Sequence, residues 1–232
     1  MIKSALEKMV SEDMSGIWQV LQPDEKRVIV DNFTVHNFKK NQIIYSEGDT
    51  PEHLWCLFKG KVKKYKDGVG GRVQILRLIR PVQYFGYRAY FADEKYVSTS
   101  ATMEPSVVGS LPLPLVNDMI QKNNQLAMFF IRDLACNLGT SDSRIVSLTQ
   151  KHIRGRLAEA LTVLIDSYGY EEDGVTIRVY MAREDLANLS NMTTSNAIRT
   201  LSCFVAEHIV IVDGRCIKII NEPALRKISR FG

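Results

Sequence analysis

The sequence has few cysteines and histidines, almost no charge imbalance and no long apolar run, and each shortage removes a class of function. No uninterrupted apolar stretch approaches the roughly 20 residues that a bilayer-spanning helix needs. The opening MIKSALEKMVSEDM is mixed and charged, unlike a secretory signal, so a cytoplasmic location and no membrane partner are expected. The four cysteines, Cys56, Cys136, Cys203 and Cys216, are scattered without a C-x-x-C pair. That spacing argues against a cysteine-ligated iron–sulfur cluster or zinc site, and fits reduced thiols used as small buried hydrophobes. Of His36, His53, His152 and His208, only the first two fall in the strand-rich region. Two histidines without clustered carboxylates do not make a metal-dependent active site; neither a catalytic residue nor a metal ligand is assigned. Lys and Arg number 30 against 26 Asp and Glu, a net charge of +4. Any nucleic-acid-facing basicity must therefore come from placement.

What is present reads as an ordinary globular chain. Its 232 residues are 45% hydrophobic and 24% charged, with mean hydropathy −0.10, enough for one large or two modest domains. Residues 1–20 carry Leu6, Met9, Val10, Ile17 and Val20 on one side of an expected helix, and Pro23-Asp24-Glu25 opens another. From Asn32 to Leu111 short β-branched, aromatic or alternating stretches follow at 42–45, 54–58, 61–65, 73–79 and 97–102. Gly-containing turns punctuate them, which predicts a small sandwich or barrel. Lys59, Lys61 and Lys63 share one face by period 2 and read as a solvated face. Residues 125–149 set Ala127, Phe130, Leu134, Leu138, Ser141, Ile145 and Leu148 at spacings of three and four, an apolar seam suited to pairing with a second copy, the alternative being a long helix that lies across its own domain. A helix over 151–168 and a strand over 175–180 are expected next.

The most informative stretch is 181–206, MAREDLANLSNMTTSNAIRTLSCFVA. Met181, Leu186 and Leu189 line the inner side of a first helix. Asn191 suits a left-handed turn, and Thr193 can cap a second helix. Ala197, Ile198, Leu201, Phe204 and Val205 form that helix's expected apolar stripe, with Thr194, Ser195, Asn196 and Arg199 on the other side. The runs 209–212 and 216–220 flank Asp213-Gly214, a hairpin signal. Helix, turn, helix and hairpin predict a winged helix whose second helix enters the major groove of double-stranded DNA.

The chain from about Val28 to Ile228 resembles the cyclic-AMP receptor and fumarate-nitrate regulator (Crp/Fnr) superfamily. The resemblance rests on IIYSEGDTPEHLWCLFKGKVKKY, the Tyr84-Phe85-Gly86 turn, the long helix, Gly155-Arg156-Leu157-Ala158 and the winged helix, in family order. It implies an α+β fold: an N-terminal cyclic-nucleotide-binding-type β-roll (1–124), a long dimerisation helix (125–150) and a C-terminal winged helix-turn-helix (151–232). It further implies an effector-responsive homodimer that binds a two-fold symmetric DNA site and works with RNA polymerase. By the same resemblance Arg183 is a phosphate contact, and the effector pocket takes Gly86, Tyr87, Arg88, Val97, Ser98 and, on the long helix, Ser141.

The departures are informative. Members that bind cyclic AMP hold its ribose with an acid after the roll glycine and its phosphate with an Arg-Ser pair. Here Tyr87 follows Gly86, and Val97 precedes Ser98. Losing that Arg removes a charge-assisted contact to a full negative charge, so the residues argue against cyclic AMP. Tyr87 and Val97 make the wall more apolar and favour a less charged guest or a filled pocket. The effector is left unknown, and haem open. In the recognition helix, Thr194 and Ser195 stand where the best-known members carry Arg-Glu, which points to a different half-site read by Thr193–Asn196 and Arg199. A different reading has the roll as a sensor acting through protein partners without specific DNA binding; a third, a cupin-like enzyme, lacks its metal ligands.

Overall fold

A computed structural model describes residues 14–232 of the chain; the expected helical residues Leu6, Met9 and Val10 lie outside them. The described chain divides into two compact units, one formed by residues up to Lys66 with Leu76–Gly139, the other by Asp67–Ile75 with Thr140–Gly232.

The first unit opens with α1 (Ser15–Trp18) and α2 (Pro23–Asn32). Pro23 suits the first helical turn, where no amide partner is needed, and Gln22 N donates to Glu25 Oε2 at 2.7 Å. Eight strands follow: β1 (Thr34–Phe38), β2 (Ile43–Tyr45), β3 (His53–Lys59), β4 (Val62–Asp67), β5 (Val73–Ile79), β6 (Tyr84–Phe85), β7 (Thr99–Thr102) and β8 (Ser106–Pro112). They form two four-stranded sheets, ordered β1-β8-β3-β6 and β2-β7-β4-β5.

Strand β3 shows why the sheets pack as they do. Successive side chains point to opposite faces, so Leu54, Cys56 and Phe58 join the cluster with Phe33, Tyr84, Leu111 and Phe130. Leu57 joins the other cluster, with Tyr45, Val62, Ile79, Phe85 and Val108. Strand β8 was hard to see in the sequence because Gly109 interrupts it. A Cβ there would lie 2.0 Å from the Phe33 ring, so the close approach of the aromatic requires the glycine. Lys61 departs from the solvated face expected of it: its side chain is 13% exposed and paired with Glu104 at 2.9 Å.

Helix α3 (Tyr87–Phe91) precedes β7, and α4 (Leu113–Lys122) leads into α5 (Asn124–Gln150), the long helix. Asn123 starts α5 by accepting from Gln125 N and Leu126 N at 3.0 and 3.1 Å. The seam expected on α5 is divided between core and surface. Phe130 is 3% exposed and Leu134 packs against the same core, so both face inward. Leu138 (64%) and Ile145, from the same expected row, are exposed, as are Met128, Ile131 and Val146. With Ala135, also exposed, Met128, Ile131, Leu138 and Ile145 make an outward row at spacings of three, four and seven, which shares Leu138 and Ile145 with the expected one.

In the second unit α6 (Ile153–Tyr168) buries Leu157, Ala158, Leu161 and Leu164 and ends at Gly169, φ 69°. Gly155 is needed for a close approach: a Cβ there would lie 2.4 Å from Gly232 O. Residues 175–180 form only isolated bridges, Tyr170 with Ile177 and Thr176 with Lys218, instead of the expected strand. Helices α7 (Arg183–Leu189) and α8 (Thr194–Ala206) precede β9 (Val210–Asp213), β10 (Cys216–Ile219) and α9 (Glu222–Phe231). Within this unit Arg144 Nη2 donates to Ile75 O at 2.7 Å and Leu189 O at 2.8 Å. The segment Asp67–Ile75 is thereby tied to the C-terminal end of α7. No helix among the described residues is long and apolar enough to cross a membrane.

Candidate nucleic-acid interface and roll cavity

The α7–turn–α8 unit forms because its inner residues interlock and its turn satisfies its own polar groups. Leu186, Ala187 and Leu189 are buried on α7; Ala197, Leu201 and Phe204 are buried on α8. Asn191 takes φ 50°, the left-handed conformation that asparagine tolerates, and Ser190 Oγ donates to Leu186 O at 2.6 Å. Thr193 is the N-cap of α8, its side chain accepting from Asn196 N at 3.3 Å. The inner row at positions i, i+4 and i+7 turns the rest of α8 outward.

That outward face carries Thr194, Ser195, Arg199 and Ser202, all exposed. Asn196 is half-buried, and its Oδ1 accepts from Arg199 Nη2 at 2.8 Å. Two residues assigned to the apolar stripe belong here instead: Ile198 is 48% and Val205 39% exposed. The core beneath α8 is only three residues wide, so their spacing from Ala197 and Leu201 rotates them off it. Arg183, at the start of α7, donates from Nη2 to Gly214 O at the tip of the β9–β10 hairpin. Burial pushes its guanidinium below the usual value. Strands β9 and β10 pair antiparallel around Asp213-Gly214, completing the wing.

In the roll, Gly86 has φ 87°, and a Cβ there would meet Trp55 Cδ1 at 2.6 Å, so the turn needs glycine. A cavity of about 20 Å³ is lined by Tyr45, Lys64, Gly86, Arg88, Ala89, Tyr96, Val97 and Ser98. That is room for one water. The Tyr45 and Tyr96 rings stack at 3.8 Å beside it. Four expected pocket residues, Gly86, Arg88, Val97 and Ser98, are thus together. Tyr87 is not among the lining residues: it is buried, and its hydroxyl donates to Asp133 on α5. Burial and then Asp133 push that phenol up. Ser141 is exposed, in the second unit. The cavity wall is also not the apolar one expected. Lys64 is pushed down to about 8, first by burial and then by Arg88 and Arg77, while Arg88 pairs with Glu94 at 2.9 Å.

A wider cavity of about 500 Å³ opens at Asp49, Glu52, His53, Trp55 and Tyr96, among others. His36, near Trp55, has Nε2 at 2.8 Å from Ser110 Oγ; burial and then His53 push it down. Among the described residues no group of three or more His, Cys, Asp or Glu could hold a metal ion. Only Cys56 of the four cysteines is buried, so the expectation of small buried hydrophobes fails for Cys136 and Cys203, which are exposed.

Two family models match the chain: a cyclic nucleotide-binding domain over residues 35–123 and a Crp-like helix-turn-helix domain over residues 155–228. Between them they take in the roll and the winged helix.

The chain belongs to the Crp/Fnr superfamily.

Its curated relatives include the CRP-like cAMP-activated global transcriptional regulator of Mycobacterium tuberculosis, 22% identical over 93% of this chain and 97% of that one. The fumarate and nitrate reduction regulatory protein of Vibrio cholerae is 25% identical over 82% of this chain and 76% of that one. Among solved structures, FixK2 from Bradyrhizobium japonicum has a TM-score of 0.76 at 21% identity, over 84% of this chain and 96% of that one. A CRP/FNR family regulator from Thermus thermophilus has 0.71 at 19%, over 85% and 98%. The Crp/Fnr protein described here is accordingly a DNA-binding transcriptional regulator and not an enzyme.

Lys64 and Ile198 of this Crp/Fnr protein were not among the residues expected at these sites. Lys64 had a signal: it shares the face of buried Val62, two residues before it, and not that of Lys63. Ile198 had none that periodicity could supply, because an apolar residue beside an apolar stripe reads as part of it.

Proposed function

We propose that this regulator acts as a homodimer on a two-fold symmetric DNA site, with α8 of each protomer in a major groove. The observation that carries the reading is the outward row of α8, where Thr194, Ser195 and Arg199 stand exposed over a core of Ala197, Leu201 and Phe204. Small polar residues at the helix N-terminus and a forked guanidinium one turn later suit base edges and nearby phosphates. Arg199 takes a guanine edge, with Asn196 holding its guanidinium. Thr193 caps the helix and Thr194 and Ser195 meet the first base pairs. Arg183 positions the wing and, through it, the phosphate backbone.

Dimerisation is supported by the exposed row Met128, Ile131, Ala135, Leu138 and Ile145 on α5. A single apolar seam at heptad spacing is what two parallel helices bury against each other. Two recognition helices on one scaffold also convert the second half-site contact into an intramolecular one. The roll is proposed to sense a molecule other than cyclic AMP, through the cavity at Gly86, Arg88, Val97 and Ser98, in a protein that acts in the cytoplasm with RNA polymerase. Lys64 and Arg88 at that cavity favour a small anion, while the stacked Tyr45–Tyr96 pair takes up space a nucleoside would need.

Selection of duplexes from a random pool by the full-length protein tests the reading. A palindromic consensus, bound with strong salt dependence, is expected, and added cyclic AMP at tens of micromolar changes neither the heat of titration nor DNA affinity. Failure to select any sequence would favour the roll as a sensor that works through protein partners.

A further inference from the structure

On the outward face of α8, two side chains have no polar chemistry to offer, Val205 near the C-terminal end and Ile198 in the first half of the helix. Ile198 is 48% exposed, between Ser195 and Arg199. Ser195, Ile198, Arg199 and Ser202 are spaced i, i+3, i+4 and i+7, which places them on a single stripe. Isolated exposed apolar residues are common on protein surfaces. Ile198 differs by its position, in the middle of the row that reads base edges. Ser202 Oγ donates back to Ile198 O at 3.0 Å, so that hydroxyl is turned onto the helix. Arg199 leans toward Asn196, away from the centre of the row.

Among the groups the major groove presents, the C5-methyl of thymine is the one that rewards apolar contact. An isoleucine set among base-reading residues leaves any other base edge unsatisfied and desolvated. We infer that Ile198 packs against a thymine methyl in each half-site, about one base pair from the guanine taken by Arg199. Consecutive Cα atoms lie about 3.8 Å apart, close to the roughly 3.4 Å rise between base pairs, which sets that spacing. The inference rests on the proposed placement of α8 in the groove and makes thymine, at one position, a determinant of the half-site.

The test uses the duplex selected by the full-length protein. Each thymine is replaced singly by deoxyuracil, which removes only the methyl, and affinity is read by fluorescence anisotropy. One thymine per half-site is expected to lose about fourfold in affinity when its methyl is removed, the value of one buried methyl-sized group. Ile198→Ala should abolish that sensitivity, Ile198→Val should keep part of it, and Arg199→Ala should keep it while losing the guanine preference. Because Ile198 is half-exposed, unchanged thermal unfolding of Ile198→Ala would show that the fold is intact. Selective binding with no methyl-sensitive thymine, or sensitivity that persists in Ile198→Ala, overturns this inference and leaves the proposed function standing. Absence of any selective, salt-dependent binding by the wild-type protein overturns both.

Discussion

Arg199 Nη2 donates to Asn196 Oδ1 at 2.8 Å, one turn back along the same helix. The bond holds a long, flexible side chain near one orientation before any partner arrives, which reduces the ordering cost of a base contact. Arg199→Ala is expected to cost roughly 1–3 kcal/mol of specific binding and to relax preference at one base pair. Asn196→Ala should cost less, and the two losses should not add in a double-mutant cycle, because both act through one guanidinium. Additive losses would mean that Asn196 contacts DNA separately.

Arg183 joins the start of α7 to Gly214 at the wing tip. Arg183→Ala should therefore weaken binding about equally for all sequences. Filter binding across a salt series, with selected and scrambled duplexes, separates this from Arg199→Ala. A loss confined to the selected duplex would contradict a positioning role.

On α5, Leu138 is exposed whereas Leu134 packs against the core of the first unit. Leu138→Asp should leave each protomer folded and bring sedimentation to the monomer, with tight operator binding lost. Leu134→Asp should instead lower thermal stability, by about 1–3 kcal/mol for a poorly solvated carboxylate. The reverse pattern would restore the row 127, 130 and 134 as the paired face.

Lys64 makes a prediction about pH. Its ammonium is held down to about 8 in the folded protein and returns to the ordinary lysine value on unfolding. Below pH 8 both states are protonated, and the destabilising effect of the buried charge is fully present. Between about pH 8 and 10 the unfolded chain binds the extra proton, so this group makes stability rise with pH. Lys64→Met should be more stable than wild type at pH 7, by on the order of 1–3 kcal/mol, with the difference shrinking toward pH 10. Denaturant unfolding at several pH values measures it; a constant difference would mean that Lys64 is not the titrating group.

The order of elements was legible because it rests on local chemistry. Pro23 at a helix start, Gly86 and Gly169 at positive φ, Asn191 in a left-handed turn and Asp213-Gly214 between two β-branched runs each act within a few residues. Such signals need no partner elsewhere in the chain. The long helix and the helix-turn-helix were equally legible, since an apolar residue every three or four positions requires a helix with one buried side.

Which side is buried, and by what, was decided only by tertiary packing. On α5, apolar residues cover more than one side, and the sequence cannot say which of them the first unit claims. The core took Leu126, Phe130 and Leu134 and left Met128, Ile131 and Leu138 outside. On α8 the narrow contact through Ala197, Leu201 and Phe204 released Ile198 into the base-reading row. In the roll, Tyr87 was assigned to the pocket by its place after Gly86, yet Asp133, 46 residues on, draws its hydroxyl to α5. Lys64 meets Arg88 only because distant segments fold onto the same cavity. Local backbone preference writes the elements into the sequence; the choice among competing faces depends on contacts between residues far apart in the chain, and those exist only once it has folded.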